Sequence, residues 1–182
     1  MPFGINLRVS GDSASYWELV DRASALEAEP TIRALRYPPH ITLAKYDDAL
    51  AGELEAIVDA LADVPAMTLD FERLGSFDPG FLILWAAPKP QQILLNVHAR
   101  IHSIIDPARC KPPYRPASWT PHCSIALRVA DQHRDAAKRL LADDFSPFTL
   151  TFDVVDAVAS PPIAIIAERA LNNQRASDQP RH

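Results

Sequence analysis

Cysteine is scarce in this chain, and there is no surplus of positive charge. The 182 residues include two cysteines, Cys110 and Cys123, too few for a disulfide framework and not at a metal-ligand spacing. Eighteen basic against 23 acidic residues leave a net charge of −5. Broad binding to duplex DNA or RNA, which needs a basic footprint, is thereby disfavoured. No apolar run approaches the roughly 20 residues of a membrane span. The opening stretch, MPFGINLRVSG, reads as a strand and lacks the basic and apolar regions of a signal peptide. A reduced, cytoplasmic setting and no membrane partner are the expectations. What is present is ordinary for a globular protein, with 48% hydrophobic and 23% charged residues. That length supports one good core or two small lobes sharing an interface.

Periodicity divides the chain into two similar halves. Phe3-Ile5-Leu7-Val9 alternates as a strand, and Ser15-x-x-Glu18 is a capping-box pattern opening a helix with Tyr16, Leu19, Val20, Ala23 and Leu26 on one face. His40 to Tyr46 is the next strand. Asp47 or Asp48 is placed to cap a helix carrying Leu50, Leu54, Ile57, Val58 and Leu61. Met67-Leu69-Phe71 alternates again. The second half repeats this order with the strand FLILWAA, a helix after Pro90, the strand His122 to Val129, a helix from Asp131 to Ala142, and the alternating stretch FTLTFDVV. A last strand, IAIIAERA, precedes a polar stretch at 171–182 that reads as a flexible tail.

Overlaying the halves puts His40 and His122 at equivalent places, 82 residues apart. MTLDFERL begins 27 residues after the first histidine and FTLTFDVV 26 after the second. Tyr37 and Trp119 both stand three residues before a histidine, and a proline immediately precedes each. Each half reads strand–helix–strand–helix–strand, a duplicated α+β unit with repeats of about 1–80 and 81–170 in a single domain over 1–170.

Strand alternation assigns faces. His40, Thr42, Ala44 and Tyr46 fall on one side, with Ile41, Leu43 and Lys45 opposite. His122, Ser124, Ala126 and Arg128 share a side in the second half, against Cys123, Ile125, Leu127 and Val129. Each strand thus has a greasy face for helices and a face bearing imidazole, hydroxyl and a small alanine that leaves room above the sheet. Two imidazoles facing one cleft can divide labour as acid and base, and hydroxyls can donate to anionic oxygens. That set suits in-line displacement at phosphorus and needs no metal. Either ring can take either part; His40 as acid and His122 as base is the order favoured.

His40-Ile-Thr42-Leu and His122-Cys-Ser124-Ile resemble the paired H-x-[TS]-hydrophobic motifs of the 2H phosphoesterase superfamily, which includes bacterial 2′-5′ RNA ligase-like proteins and cyclic phosphodiesterases. One such tetrapeptide says little; two at equivalent points of a repeat say much. The resemblance implies a bilobal fold of two pseudo-symmetric lobes, with antiparallel sheets lining a central cleft and helices outside. It implies hydrolysis of 2′,3′-cyclic phosphates or related phosphodiesters of a nucleotide or RNA end, without cofactor or metal. His40 and His122 are then catalytic, and Thr42 and Ser124 bind phosphate. A 2′-5′ ligase or phosphodiesterase, or a binding module without turnover, are the alternatives.

Residues 107–118, PARCKPPYRPAS, carry Arg109, Lys111 and Arg115, a local charge of +3 among four prolines. With Tyr37, Tyr114 and Trp119 they suggest a basic, aromatic rim where a base could stack; Arg115 and these three aromatics are the candidate substrate contacts. An acidic chain with a small basic rim favours a mononucleotide, a small sugar phosphate or a short RNA end over long RNA; a monomer is the expectation. His98 and His102, at i and i+4, have zinc-ligand spacing, but no third ligand is evident. His133 reads as a surface residue beside Asp131, and Cys123 as a buried small hydrophobe.

Overall fold

The computed structural model describes residues 2–142 and 145–172. Its strands are β1 (Phe3–Arg8), β2 (His40–Tyr46), β3 (Met67–Phe77), β4 (Leu82–Pro88), β5 (Cys123–Val129), β6 (Phe148–Phe152), β7 (Val154–Ala159) and β8 (Ala164–Ala170). The helices are α1 (Ala14–Ser24), α2 (Thr31–Ala34), α3 (Ala51–Leu61), α4 (Gln92–Ile104) and α5 (Arg134–Ala142). They form two antiparallel four-stranded sheets, ordered β2-β1-β7-β8 and β5-β4-β3-β6. The bilobal α+β arrangement that the resemblance implies is therefore present; His40 opens β2 and His122 immediately precedes β5, and each of these strands lies at the edge of its own sheet. No described helix is long and apolar enough to cross a membrane.

Helix starts differ from the sequence pattern. Helix α1 begins at Ala14, whose N–H is taken by the Asp12 carboxylate at 3.0 Å; the Ser15 capping box is not used. Neither Asp47 nor Asp48 caps α3. Instead the Glu53 carboxylate reaches back to the Leu50 N–H at 2.9 Å, satisfying one of the orphan donors of the first turn.

The halves are interleaved. FTLTFDVV, read as one strand, is broken at Asp153: β6 pairs with β3, while β7 pairs with β1 in the other sheet. Asp153 makes the corner by accepting hydrogen bonds from the Ser10 N–H at 2.8 Å and from the Ser10 hydroxyl. The corresponding first-half stretch stays in one sheet, with Met67–Phe71 against β6 and Arg73–Phe77 against β4. Leu171 and Asn172, expected in the tail, are docked: Leu171 is buried, and Asn172 trades backbone hydrogen bonds with Val64 and Ala66, both 2.9 Å. The rest of that tail, 173–182, lies outside the described residues.

The core is continuous between lobes. Ile5, Leu7, Ile41, Leu43, Leu54, Ile57 and Leu61 are fully buried around the first sheet, and Leu84, Ile125, Leu69, Phe71 and Phe152 around the second. Phe71 and Phe148 stack at 5.0 Å across β3 and β6. Burying a large apolar side chain contributes about 1.5–3 kcal/mol, so these helix-covered faces hold the two site strands in place.

Candidate active site

Both site strands carry a β-bulge at the same step. In β2, Thr42 lies opposite Asn6 and Ala44 opposite Ile5, so Leu43 is the extra residue. In β5, Ser124 lies opposite Trp85 and Ala126 opposite Leu84, which leaves Ile125 extra. A bulge shifts the side-chain alternation by one. His40 and Thr42 keep the expected face, but Lys45 joins them, and Ala44 and Tyr46 turn into the core at 0% exposure. In the second half His122, Ser124 and Leu127 face the cavity, and Ala126 is fully buried. The faces assigned by strict alternation fail beyond Thr42 and Ser124 for this reason.

Bulges leave backbone groups unpaired, and the chain supplies partners. Trp119 Nε1 donates to the Thr42 carbonyl at 3.0 Å, and the Tyr16 hydroxyl donates to the Ser124 carbonyl at 2.7 Å. Glu27 Oε1 accepts the N–H groups of Leu127 and Arg128 at 2.9 and 2.8 Å. The Lys111 N–H donates to the Lys45 carbonyl at 2.8 Å. Two equivalent carbonyls are thus gripped by two aromatic donors from unrelated positions.

His40 and His122 line one cavity of about 860 Å³, together with Thr42, Ser124, Tyr37 and Tyr114. Each ring is oriented alike. The Nδ1–H of His40 donates to the Pro38 carbonyl at 2.9 Å, and that of His122 to the Thr120 carbonyl at 2.7 Å. A carbonyl can only accept, so Nδ1 carries the proton and Nε2 is left for chemistry in both rings. An aromatic edge braces each: Tyr37 against His40 at 4.8 Å and Phe77 against His122 at 5.1 Å. Burial pushes His40 down to about 4, with the positive charges of Lys45 and His122 adding to the effect. His122 is lowered by burial and by Lys45.

Behind His40 lies a buried polar network absent from the sequence reading. Tyr37 donates its hydroxyl to Asp156 at 2.6 Å; Asn6 Nδ2 donates to Asp156 and to the Tyr37 oxygen, each at 3.1 Å. Arg8 Nε donates to Asp156 at 2.8 Å, and the Arg8 guanidinium also pairs with Glu168. Asp156 is fully buried; burial raises its pKa, against the opposing pull of Tyr37, Asn6 and Arg8. Burial and the Asp156 charge hold the Tyr37 phenol well above its usual range, so it remains a donor. The Thr42 hydroxyl donates to Asn6 Oδ1 at 2.9 Å. Its proton is thereby engaged, and only lone pairs face the cavity, whereas the Ser124 hydroxyl has no such side-chain partner among the described residues. A lone acid in VVDAVA and a lone amide in FGINLRV were the signals available for Asp156 and Asn6.

The expected basic rim is largely neutralised. Arg115 does not line the cavity: its Nε and Nη2 donate to the Cys110 and Ala108 carbonyls, each at 2.8 Å, and so fold the 107–118 loop on itself. Arg109 pairs with Glu53 at 2.6 Å and Lys111 with Asp47 at 2.9 Å. Trp119 also lies outside the cavity lining, stacked on His98 at 4.0 Å. His98 and His102 both donate Nε2–H to the Tyr114 carbonyl, at 2.9 and 3.1 Å. Among the described residues no group of three His, Cys, Asp or Glu is placed to hold a metal. That buried pair anchors the loop instead, with both rings depressed by burial. Cys123 is buried, as expected, and so is Cys110.

Two sheets of like order, each giving a histidine and a hydroxyl to one shared cavity, define a bilobal two-histidine fold. The chain belongs to the 2′-5′ RNA ligase superfamily, whose family model matches residues 12–160. A candidate phosphoesterase of Bacillus licheniformis is 25% identical over 114 residues; the match covers 60% of this chain, and the chain spans 64% of that relative's length. Among solved structures, a Thermus thermophilus protein superposes with a TM-score of 0.63 at 15% identity, covering 96% of this chain and 100% of that one. E. coli LigT, solved with NADP+, gives 0.57 at 17% identity over 94% and 97% of the two chains. The same protein with 3′-AMP gives 0.56 at 13% identity, over 94% and 99%.

Proposed function

We propose that the chain is a phosphodiesterase that opens a 2′,3′-cyclic phosphate, or a closely related phosphodiester, of a nucleotide or RNA end. The observation that carries this is the matched pair of imidazoles lining one cavity, each with Nδ1 tethered to a backbone carbonyl and Nε2 without a hydrogen-bond partner among the described residues. In that reaction one Nε2 takes a proton from water, whose oxygen attacks phosphorus. The opposite P–O bond breaks, and the departing ribose oxygen receives the proton held by the other Nε2. A phosphomonoester is left, and the two rings have exchanged protonation states. The acid–base pair supplies both proton transfers, so the reading needs no metal. Burial is the largest cause of the lowering in both rings, and the positive charge of Lys45 adds to it in each. The deep depression of His40, to about 4, keeps that ring neutral and suits it to the base, which leaves the acid's part to His122, the reverse of the order favoured in the sequence. The Ser124 hydroxyl is free to donate to a phosphate oxygen, whereas the Thr42 proton is engaged by Asn6 Oδ1.

The nucleotide in E. coli LigT supports the substrate class, since 3′-AMP is what opening of 2′,3′-cyclic AMP at the 2′ oxygen leaves. Incubation with each 2′,3′-cyclic nucleotide, followed by phosphorus NMR, is the test. The cyclic resonance should give way to a single phosphomonoester, unaffected by EDTA. Activity lost to EDTA and restored by zinc overturns the reading. So does saturable binding without turnover, or joining of RNA ends through a 2′-5′ linkage without hydrolysis.

A further inference from the structure

The two half-sites use the same bulged strand but deliver opposite chemistry at equivalent positions. Beyond each bulge, the fifth residue after the histidine turns into the cavity, and it is Lys45 in one half and Leu127 in the other. Lys45 has no carboxylate partner among the described residues, whereas Arg8, Arg109, Lys111 and Arg134 are engaged with acids and Arg115 with carbonyls. Its Nζ lies 5.5 Å from the centroid of the Tyr114 ring, which steadies the ammonium against the cavity wall. Lys45 lines the same cavity as both imidazoles, and its charge acts on each. On the β5 side, Leu127, Phe77 and Ile83 present no charge, and Asp78 is paired with Arg134 at 2.7 Å. A cavity of about 860 Å³ exceeds what a phosphate fills, and falls in the range of a drug-sized ligand, roughly 300–1,000 Å³.

We infer that Lys45 grips the charged, non-bridging oxygens of the substrate phosphate, and that the Leu127–Phe77–Ile83 wall receives an uncharged planar group. The substrate class is then a small phosphodiester with one negative charge, joined to a ring such as a nucleobase. Among the described residues that line the cavity, a second phosphate finds no further Lys or Arg to meet it, and a polynucleotide finds no basic track. This rests on the phosphodiesterase reading for the identity of the ester, but not for the binding of phosphate itself.

Two measurements test it: calorimetric titration with inorganic phosphate, and kinetics with 2′,3′-cyclic AMP with and without a 5′-phosphate. The proteins are the wild type, Lys45→Met, Lys45→Arg and Leu127→Lys, each checked by thermal melt. Lys45→Met should weaken phosphate binding and raise KM by about tenfold or more, and Lys45→Arg should restore most of it. Removing the Lys45 charge should also move the kcat/KM profile to higher pH. Leu127→Lys should shift preference severalfold toward the 5′-phosphorylated substrate. A folded Lys45→Met protein that binds phosphate like the wild type overturns the inference, as does a wild-type preference for the doubly phosphorylated ligand. If phosphate binding depends on Lys45 while no cyclic nucleotide is turned over, the hydrolytic reading falls and this inference stands.

Discussion

The half-site around His40 and the half-site around His122 share a backbone and differ in almost everything else. Both have an edge strand with a bulge, an imidazole tied to the carbonyl two residues back, an aromatic brace and an aromatic donor on the bulge carbonyl. Around His40 the brace is Tyr37, whose hydroxyl opens into the network of Asp156, Asn6 and Arg8. Around His122 the brace is Phe77, backed by Trp85 at 5.9 Å from the imidazole and flanked by Leu127. One side is wired with charge and the other is greasy. Such a division keeps symmetric geometry for in-line transfer while letting the substrate bind in a single orientation.

Removing either imbalance should show its worth. The largest effect is expected from His40→Ala and His122→Ala, each lowering kcat by about 10²–10⁴-fold with circular dichroism and melting unchanged. A loss confined to one variant breaks the picture of two halves sharing one step. Next come the hydroxyls, which the structure makes unequal. Ser124→Ala should weaken substrate binding by about tenfold, losing a donor to a charged oxygen, while Thr42→Ala, whose proton already serves Asn6, should change KM less. Equal effects would mean that Thr42 swings round on binding.

The braces give a smaller, energetic contrast. Tyr37→Phe removes a donor to a fully buried carboxylate and should cost about 1–3 kcal/mol of stability in a urea titration, while Phe77→Leu, with no hydrogen bond to lose, should act through packing alone. The smallest effect is on pH dependence. Both imidazoles are lowered in the free protein, so one neutral and one protonated ring coexist on the acid side of 6.5, where kcat/KM should peak. A bound phosphate favours the protonated form, and the kcat optimum should lie roughly one pH unit higher. Because these folded-state values lie below the unfolded one, the unfolded chain takes up protons first. Stability should therefore fall as pH drops from about 6.5 toward 4.

Much of this was readable in the letters, and the failures have a common cause. The paired motifs, the interval between them and the helix–strand order follow from local periodicity, which the structure respects. Lys45 was placed on the wrong face because one extra residue, Leu43, reverses the alternation, and nothing in HITLAKY marks a bulge. Tyr37 does line the cavity, but its hydroxyl faces away toward Asp156, a partner 119 residues distant. Arg115 and Trp119 lie near the site in sequence but spend their polar atoms on backbone carbonyls of the loop and of β2. What a side chain is attached to can be read from its neighbours in the chain; what it is tied up with cannot.

The exchange of strands at Asp153 has a consequence for how the molecule comes into being. Strand β1 needs β7 as its inner neighbour, and Asn6 meets Asp156 across 150 residues. During synthesis the sheet bearing His40 must wait, with one flank bare, until β7 has left the ribosome, whereas β3, β4 and β5 can already associate. Such distant pairings are slow to form, so the charged half of the cavity is assembled last, and a protein cut short before β7 would carry the second histidine on a nearly complete sheet and the first on an unfinished one.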